Sequence, residues 1–257
     1  MSEGTGPGLE LSISVVSHHQ LGMVRHLLQD MAHQLDDRSV EVILTLNVPE
    51  VLSLPLTDFP FSLRVIRNAQ PKGFGANHNH AFALSSGRFF CVLNPDVRLT
   101  SDPFDPLMAH FHDGTIGVAA PALRTQGGRL EESARRFPTP WSILQKALLR
   151  HRTMDYSNET GVFHPDWVAG SFMLFTAKGF REVGGFDERY FLYYEDVDLC
   201  ARFRKLGLKS LMDRRVSVVH EAQRRSHRHW RFLIWHLVSM SRFFLSVARD
   251  RWNSRVR

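Results

Sequence analysis

The sequence predicts an α/β fold with a mostly parallel central sheet flanked by helices, followed by a C-terminal amphipathic helical tail. Compact apolar runs, typical of buried strands, alternate with a segment whose apolar residues recur at helical spacing. The pitch of this alternation is typical of parallel strands joined by helices. An arginine- and aromatic-rich stretch supplies the tail. In such sheets, ligands bind beyond the carboxyl ends of the strands.

The first half of the chain contains the clearest elements. The run LSISVVS predicts a strand at Leu11–Ser17. A helix follows, predicted from the helical spacing of its apolar residues, Leu21, Val24, Leu27, Leu28, Met31 and Leu35. Further strands are expected at 40–46, 63–66, 88–93 and 116–120, and a short helix at 78–86.

The second half is less regular, and we expect it to elaborate the same domain. It is predicted to contain connections at 121–141 and 150–161, strands at 166–177 and 216–220, and a helix at 195–207 that Gly207 ends. The predicted organisation is a flexible N-terminal tail at 1–9, one domain at 10–226 and a basic amphipathic helix at 227–257.

Composition is that of a soluble globular protein with a substantial core. The 257 residues are 43% hydrophobic and 23% charged. Cys91 and Cys200 both lie in apolar contexts, so we expect reduced core cysteines and no disulfide. The opening MSEGTGPGLE has neither a basic n-region nor an apolar h-region, which predicts a cytoplasmic protein.

The net charge of +6 is unevenly distributed. Residues 214–257 carry 11 arginines against two acids, which is +9 and leaves −3 for the rest of the chain. The aromatic segment 229–249 has an uncharged run of about ten residues, short of the roughly 20 that span a bilayer. Two compatible alternatives remain: a helix lying at the surface of an anionic membrane, or a helix packed on the body with solvated arginines.

Two polar groups follow apolar runs directly, where strands would leave the sheet. NPDV places Asn94 and Asp96 after one strand, and VSVVH ends in His220. Asp96 there is suited to Mg²⁺ or Mn²⁺, although Asn-Pro-Asp is also ordinary turn chemistry. A histidine at a strand end is usually a satisfied polar residue. The glycine-bearing loop GFGANHNH is suited to approaching a phosphate or ribose.

The stretch YFLYYEDVDLC places Glu195, Asp196 and Asp198 directly behind an apolar run. Acids in the first turn of a helix complement its dipole, so a purely structural role is one interpretation. The apolar run favours a second one, because a carboxylate at a packed, water-poor edge has the raised basicity that a general base needs.

These motifs together resemble the family-2 glycosyltransferases of the GT-A fold. The resemblance rests on LNPDV, WVAGSFMLF, GGFDERYFLYYEDVDLCARFRKLG and VVH, and it runs from about residue 11 to residue 226. RRFPTPWSILQ is similar to rhamnosyltransferase-type bacterial members that extend lipid-linked polysaccharides. The resemblance implies an inverting transfer of a sugar from a nucleoside diphosphate to a saccharide acceptor.

The resemblance also implies roles for individual residues. Asp96 and His220 are expected to hold Mg²⁺ or Mn²⁺, Asp196 to be the catalytic base, and Glu195 to orient it or contact the acceptor. The expected donor-binding residues are Ser17, Asn47, Gly73, Asn77, Asn79, Asn94 and Asp96. The expected acceptor-binding residues are Trp167, Gly170, Ser171 and Glu195.

The chain departs from the family pattern at the donor side. Asn94 stands where an acid is common, Leu46 precedes Asn47 where Asp-Asn is common, and His18 and His19 follow the first strand. The first expectation for the donor is dTDP-rhamnose, with UDP-sugars open. The expected acceptor is a saccharide, linked to a polyprenyl diphosphate.

Two competing functions are a basic module that binds nucleic acid and an inactive relative that serves as an interaction protein. The arginine-rich tail favours the first and Asn94 the second, but neither accounts for the NPD and EDVDL motifs. We therefore expect an enzyme at the inner face of the cytoplasmic membrane, attached through its C-terminal helix, with no nucleic-acid partner. A homodimer is left open.

Overall fold

The computed structural model describes residues 9–35, 39–52, 58–148, 154–221 and 230–256. Its first half contains β1 (Leu11–Ser17), α1 (Leu21–Gln34), β2 (Val40–Leu46), β3 (Ser62–Arg67), α2 (Phe74–Ala83), β4 (Phe89–Leu93), β5 (Val97–Arg98), α3 (Phe104–Met108), a 3₁₀ turn (Ala109–Phe111) and β6 (Ile116–Arg124). Its second half contains β7 (Ala134–Arg135), α4 (Pro140–Leu148), β8 (Val162–Phe163), β9 (Trp167–Val168), β10 (Phe172–Thr176), α5 (Ala177–Glu182), α6 (Glu195–Lys205), β11 (Lys209–His220) and α7 (Trp230–Val256).

Nine strands of the described residues form one sheet, in the order β3-β2-β1-β4-β10-β6-β11-β5 with β8 beside β11. The first four strands pair in parallel, as predicted. The second half is mixed, because β10 runs antiparallel to both of its neighbours while β6 and β11 are parallel. The α/β fold is confirmed, and the expectation of a mostly parallel sheet holds for the N-terminal half.

Burial explains why the first elements form where the pattern predicts them. The predicted apolar stripe of α1 is buried against the sheet at Val24, Leu27, Leu28 and Met31. Strand β4 is buried on both faces, since alternate residues join two different core clusters. Cys91 and Cys200 are free and buried, as expected.

Three predicted boundaries are wrong. The helix expected at 78–86 begins at Phe74, because the Asn77 N–H already donates to the Gly73 carbonyl four residues earlier. The strand expected at 166–177 is divided into β9 and β10, because Gly170 and Ser171 turn toward other partners. The last strand is twelve residues long rather than five, since its first part pairs with β6.

Two parts of the predicted domain organisation lie outside the described residues. They are residues 1–8, which form most of the expected N-terminal tail, and the expected boundary at 226–227. The predicted C-terminal helix is present as α7. Within the described part of the chain, none of the helices combines the length and apolar character required to cross a membrane.

Candidate active site

Asp96 lies in a turn at the carboxyl end of β4. The Val97 N–H donates to the Asn94 carbonyl over 3.2 Å, which closes the turn. Val97 then pairs with His220, the last residue of β11, so the two predicted metal-site residues come from paired strands. The Asp96 Oδ1 and His220 Nε2 atoms are 3.5 Å apart. NPDV is therefore both a turn and part of a polar site.

A third residue, Glu131, completes this cation-side cluster of Asp96, Glu131 and His220. His220 Nδ1 lies 2.6 Å from Glu131 Oε2, on the other side of the ring from Asp96. Burial lowers the pKa of His220, but hydrogen bonding and the charges of Asp96 and Glu131 outweigh it and raise the pKa to about 9. The histidine therefore carries a proton when only these two carboxylates surround it.

The donor set of this cluster fits a hard divalent cation. Asp96 Oδ1 is a buried oxygen with no hydrogen-bond partner, and the side chain is 14% exposed. Across the described ranges, no three acidic, histidine or cysteine side chains are arranged to enclose a metal ion. Asp96 and His220 can therefore supply two ligands, which suits Mg²⁺ or Mn²⁺ when substrate phosphates and water provide the rest.

The segment before α6 has an unusual backbone. Tyr193 and Tyr194 both have positive φ, 69° and 68°, immediately before Glu195. Side chains rarely adopt this left-handed region, and each such residue costs on the order of 1–3 kcal/mol. Surrounding structure must hold both tyrosines in place. The result is that α6 begins abruptly, with three carboxylates in its first turn: Glu195, Asp196 and Asp198.

Asp196 is half-buried and well supplied with donors. The Gly170 N–H donates to its Oδ2 over 3.0 Å, and the Val197 N–H donates to its Oδ1 over 2.8 Å. Burial raises the pKa of Asp196, and these two N–H groups and the charge of Arg135 partly offset the rise. This environment produces a carboxylate that is more basic than an exposed one.

Glu195 is the more deeply buried neighbour, with 5% exposure. Its Oε2 atom has no hydrogen-bond partner. Burial and the charge of Asp196 raise the pKa of Glu195 well above its ordinary value. Two backbone N–H donors favour the charged form of Asp196, whereas Glu195 Oε2 accepts no hydrogen bond, so ionisation is more favourable at Asp196 than at Glu195. Gly170, Glu195 and Asp196 are called the base-side cluster below.

The chain that turns between β9 and β10 connects the two clusters. The Asn94 N–H donates to the Ser171 carbonyl over 2.9 Å, one residue from the Gly170 N–H that binds Asp196. A side chain at Gly170 would lie 3.2 Å from the Phe74 ring and 3.7 Å from Asp196 Oδ2, so the glycine keeps this approach open. The structure thus brings Asp96, Asn94, Ser171, Gly170 and Asp196 to one edge of the sheet.

Trp167 lies in β9, which packs against the helix α6 that carries Asp196. Its indole Nε1–H donates to the Arg136 carbonyl over 3.0 Å, and the Arg135 guanidinium lies 5.5 Å from the ring centre. Arg135 pairs with Trp167 across the β7–β9 ladder. This cation is held on an aromatic face close enough to act electrostatically on Asp196.

Two of the predicted donor-binding amides are used to hold a loop. The Asn47 amide bonds the backbone of Lys72 in both directions, at 2.8 and 3.0 Å. Asn68 donates to the side chains of Asn47 and Asn77, and the Asn77 amide donates to the Gly73 carbonyl. The network positions the Gly73 loop, whose close contact with Phe191 leaves no room for a Cβ.

The other predicted donor-binding residues lie at two different places. The Ser17 hydroxyl is buried and donates to Glu50 Oε1 over 2.9 Å at the end of β1. Asn79 points instead at a separate loop, bonding the backbone of Phe186 and the carboxylate of Glu188. The structure does not bring Asn79 together with the cation-side cluster.

An open cavity of about 380 Å³ lies at the carboxyl ends of β2 and β3. It is lined mostly by the segment that follows β2 and by the end of β3: Leu46, Val48, Pro49, Glu50, Val51, Arg67 and Asn68. Asn68 belongs to the loop network and Glu50 binds Ser17, so both connect the cavity to predicted donor residues.

Helix α7 packs directly on the segment before Glu195. Phe243 is buried against Tyr190, Tyr194 and Val197, and the buried Ser239 hydroxyl donates to the Leu192 carbonyl over 2.9 Å. The opposite face of the helix exposes apolar side chains at spacings of three and four, Trp230, Leu233, Ile234, Leu237 and Val238. Both features considered for the tail are therefore present in one helix: it packs on the body, and it has an outer apolar face.

The family is shown by a match over most of the sheet. The family model described as glycosyl transferase family 2 matches residues 12–172. The chain belongs to this glycosyltransferase family. The resemblance inferred from the motifs is confirmed.

Curated relatives of this family 2 glycosyltransferase include two rhamnosyltransferases. The rhamnosyltransferase WbbL of Escherichia coli (strain K12) is 27% identical over 251 residues, which cover 93% of each chain. The N-acetylglucosaminyl-diphospho-decaprenol L-rhamnosyltransferase of Mycobacterium tuberculosis is 32% identical over 147 residues, covering 50% of this chain and 45% of the relative.

Solved structures share the fold at low identity. GalNAc-T7, determined with UDP, GalNAc and Mn²⁺, aligns with a TM-score of 0.64 at 15% identity, over 83% of this chain and 44% of that one. The mannosyltransferase PcManGT of Pyrobaculum calidifontis, determined with GDP-Man and Mn²⁺, aligns with a TM-score of 0.61 at 14% identity. It covers 93% of this chain and 65% of its own. The expected GT-A fold is confirmed.

Motif reasoning missed several polar residues of the glycosyltransferase site. Glu131, Arg135, Asn68 and Glu50 each contact a predicted site residue or act on its charge. Arg135 begins RRFPTPWSILQ, where the resemblance gave it no role, and the other three lie in a connection or at a strand end, outside the motifs. Nothing in the sequence pattern distinguishes Glu131 from its neighbour Glu132.

Proposed function

We propose that this chain is an inverting, metal-dependent glycosyltransferase that moves a sugar from a nucleoside diphosphate to a saccharide during cell-surface polysaccharide synthesis. The observation that carries the proposal is that Asn94, in the turn that contains Asp96, bonds Ser171, while the neighbouring Gly170 bonds Asp196. An inverting transfer needs a base where the acceptor oxygen attacks and a cation site where the diphosphate leaves. The two clusters supply one of each.

Asp196 acts as the base in this proposal. Its Oδ2 is held by the Gly170 N–H, and burial raises its pKa, so it accepts a proton from the acceptor hydroxyl more readily than an exposed aspartate does. The raised pKa of Glu195 favours its protonated form, which keeps a second negative charge away from the reacting oxygen. Trp167 and Ser171 border the space in which we place the acceptor.

Asp96 and His220 are the residues we propose to hold Mg²⁺ or Mn²⁺. When bound, the ion would neutralise charge on the departing diphosphate, an effect worth several kcal/mol. Support comes from Asp96 Oδ1, a buried oxygen that faces His220 without a hydrogen bond, and from the Mn²⁺ named with GalNAc-T7 and with PcManGT. Asn94 is neutral, so the protein contributes only one carboxylate at this turn.

Our first candidate donor is dTDP-rhamnose, and the first candidate acceptor is a saccharide on a polyprenyl diphosphate. The names of the two rhamnosyltransferase relatives support this choice, and the mycobacterial name includes a decaprenol-linked acceptor. We place the donor's base and ribose in the cavity beyond β2 and β3, next to Asn47 and Ser17. UDP-sugars are the second candidate.

A transfer assay tests the proposal. The protein is incubated with Mn²⁺, a prenyl-diphosphate-linked N-acetylglucosamine and either dTDP-rhamnose or a UDP-sugar, and the lipid product is analysed by mass spectrometry. We expect one added sugar from one donor, no product with EDTA, and recovery with excess Mn²⁺. Transfer that is insensitive to EDTA would contradict the metal-dependent mechanism.

We further propose that the protein is peripheral at the inner face of the cytoplasmic membrane. The exposed apolar face of α7, which includes Leu233 and Leu237, and the excess of arginine in the tail support this. In liposome flotation, the protein should float with anionic vesicles and less with neutral ones. The variant L233E/L237E should stay at the bottom, while S246A, altered within the helix, should float. Equal flotation of L233E/L237E would contradict the proposal.

A further inference from the structure

We propose that Glu131 is a positioning residue of the metal centre that acts through His220; this inference rests on the proposed function. Its Oε2 lies 2.6 Å from His220 Nδ1, while His220 Nε2 faces Asp96 Oδ1 at 3.5 Å. In the neutral ring that binds a metal, the hydrogen bond to Glu131 keeps the single proton on Nδ1, and it also fixes which way the ring points. Nε2 is thereby directed to the side of Asp96.

A hydrogen-bonded turn brings Glu131 to this position. After β6 the chain reverses where the Gly128 N–H donates to Thr125 and the Thr125 N–H donates to Arg129, with Gly128 at φ 77°. The Glu131 N–H then donates to the Leu123 carbonyl over 2.8 Å. The returning segment is thus fixed alongside the end of β6.

The end of β6 is also adjacent to the end of β11. Arg124 pairs with Val219, the residue before His220. The turn therefore places Glu131 beside the last residue of β11, although 89 positions separate Glu131 from His220 in the chain. The Glu131 side chain is only 24% exposed, so its hydrogen bond is partly shielded from water.

The geometry assigns Glu131 to the outer layer of the site and not to the ligand set. Its carboxylate is engaged on the Nδ1 side of the ring, whereas Asp96 lies on the Nε2 side. The described residues contain no three-ligand cluster, as expected if Glu131 stands behind a ligand. Histidine ligands commonly donate their second N–H to a carboxylate, and loss of that partner typically costs 10–100-fold in metal affinity.

Mn²⁺ binding tests the inference without relying on turnover. Free Mn²⁺ is followed by electron paramagnetic resonance, with Mn²⁺ alone and with dTDP or UDP. We expect Glu131→Ala to weaken Mn²⁺ binding by about 10–100-fold and Glu131→Gln by less, since the amide still accepts the hydrogen bond. The matched control is Glu132→Gln, which alters an adjacent carboxylate that contacts Arg135. Thermal unfolding midpoints confirm that each variant is folded.

A double-mutant cycle separates positioning from direct ligation. If Glu131 acts through His220, the change Glu131→Ala in a His220→Ala background should alter the Mn²⁺ dissociation constant less than about twofold. Additive losses would overturn the inference, as would wild-type affinity in Glu131→Ala. A wild-type protein that binds no Mn²⁺ under any of these conditions would overturn both the inference and the metal-dependent function.

Discussion

The cation-side and base-side clusters use the same residue type, aspartate, in opposite electrical settings. Asp96 faces His220, which a second carboxylate also contacts, so positive and negative groups alternate across the cluster. Asp196 is adjacent to another carboxylate, and backbone N–H groups are its hydrogen-bond donors. The first arrangement is suited to exchanging a proton for a metal ion, and the second to accepting a proton.

The backbones that carry the two clusters differ as well. Asp96 and His220 sit at the ends of paired strands, where ordinary ladder and turn hydrogen bonds fix them. Asp196 follows two left-handed tyrosines that helix α7 covers. We infer that the cation-side cluster is stable by itself, whereas the base-side cluster depends on packing from a distant part of the chain.

The largest effect is expected at Asp196. Asp196→Asn removes the proton acceptor, so kcat should fall by about 10²–10⁴-fold. Donor nucleotide binding in the presence of Mn²⁺, measured by calorimetry, should remain within about twofold of wild type. Glu195→Gln is the matched control and should be affected less, because we expect Glu195 to be protonated already. If the variant D196N keeps more than a tenth of wild-type turnover, Asp196 is not the catalytic base and the proposed difference in role between the two clusters is wrong.

A smaller effect should follow from loosening α7. Ser239→Ala removes the buried hydrogen bond to the Leu192 carbonyl, two residues before Tyr194. A hydrogen bond of this kind is worth about 1 kcal/mol, so kcat should fall by at most about fivefold while the nucleotide dissociation constant is unchanged. Ser246→Ala is the control, since that hydroxyl bonds Phe243 within the same helix. If both variants change kcat equally, α7 does not support the base-side cluster.

A third aspartate should affect stability and leave catalysis unchanged. Asp213 bonds Arg215 and His110 at 2.7 and 2.9 Å in the middle of β11. Burial raises its pKa, but these hydrogen bonds outweigh burial and lower the pKa to about 2. Asp213→Asn should cost about 2 kcal/mol at pH 7. The unfolding midpoint should fall by roughly 4–8 °C, with kcat unchanged.

The pH dependence of that stability difference follows from the sign of the shift. Because the folded pKa lies below the unfolded value of about 3.9, the charge of Asp213 stabilises the fold fully above about pH 4. The contribution is lost as the pH falls toward 2. The difference between wild type and Asp213→Asn in urea unfolding should therefore shrink over that range. A difference that is equal at pH 7 and pH 2.5 would contradict the assignment.

The sequence predicts the parts of the site that depend on local pattern. Strands buried on one or both faces are visible as apolar runs, so the ends at Asp96 and His220 could be located in advance. The acids of α6 were visible because they interrupt such a run. Contacts between distant segments have no local pattern, which is why Glu131 and Arg135 were missed.

The donor-binding residues also show what sequence patterns cannot predict. The resemblance implied that Asn77 binds the nucleotide, and in the structure its amide donates to the loop backbone at Lys72 and Gly73. Asn79 is directed to the Phe186 loop, 107 residues away in the chain. The hydrogen-bond partners of an amide side chain depend on the tertiary fold. Residue type and spacing alone therefore do not distinguish an amide that bonds the protein backbone from one that contacts a ligand. The roles of both residues toward the donor stay predictions.

The most direct test of the central claim is calorimetric binding of dTDP and UDP with and without Mn²⁺, in wild type, Asp96→Asn and Asp196→Asn. If one cluster holds the cation and the other only accepts a proton, wild type and Asp196→Asn should bind one nucleotide with Mn²⁺ and at least tenfold more weakly without it. Asp96→Asn should lose the metal dependence. Equal nucleotide binding with and without Mn²⁺ in wild type, or loss of binding in Asp196→Asn, would contradict the division of roles between the clusters.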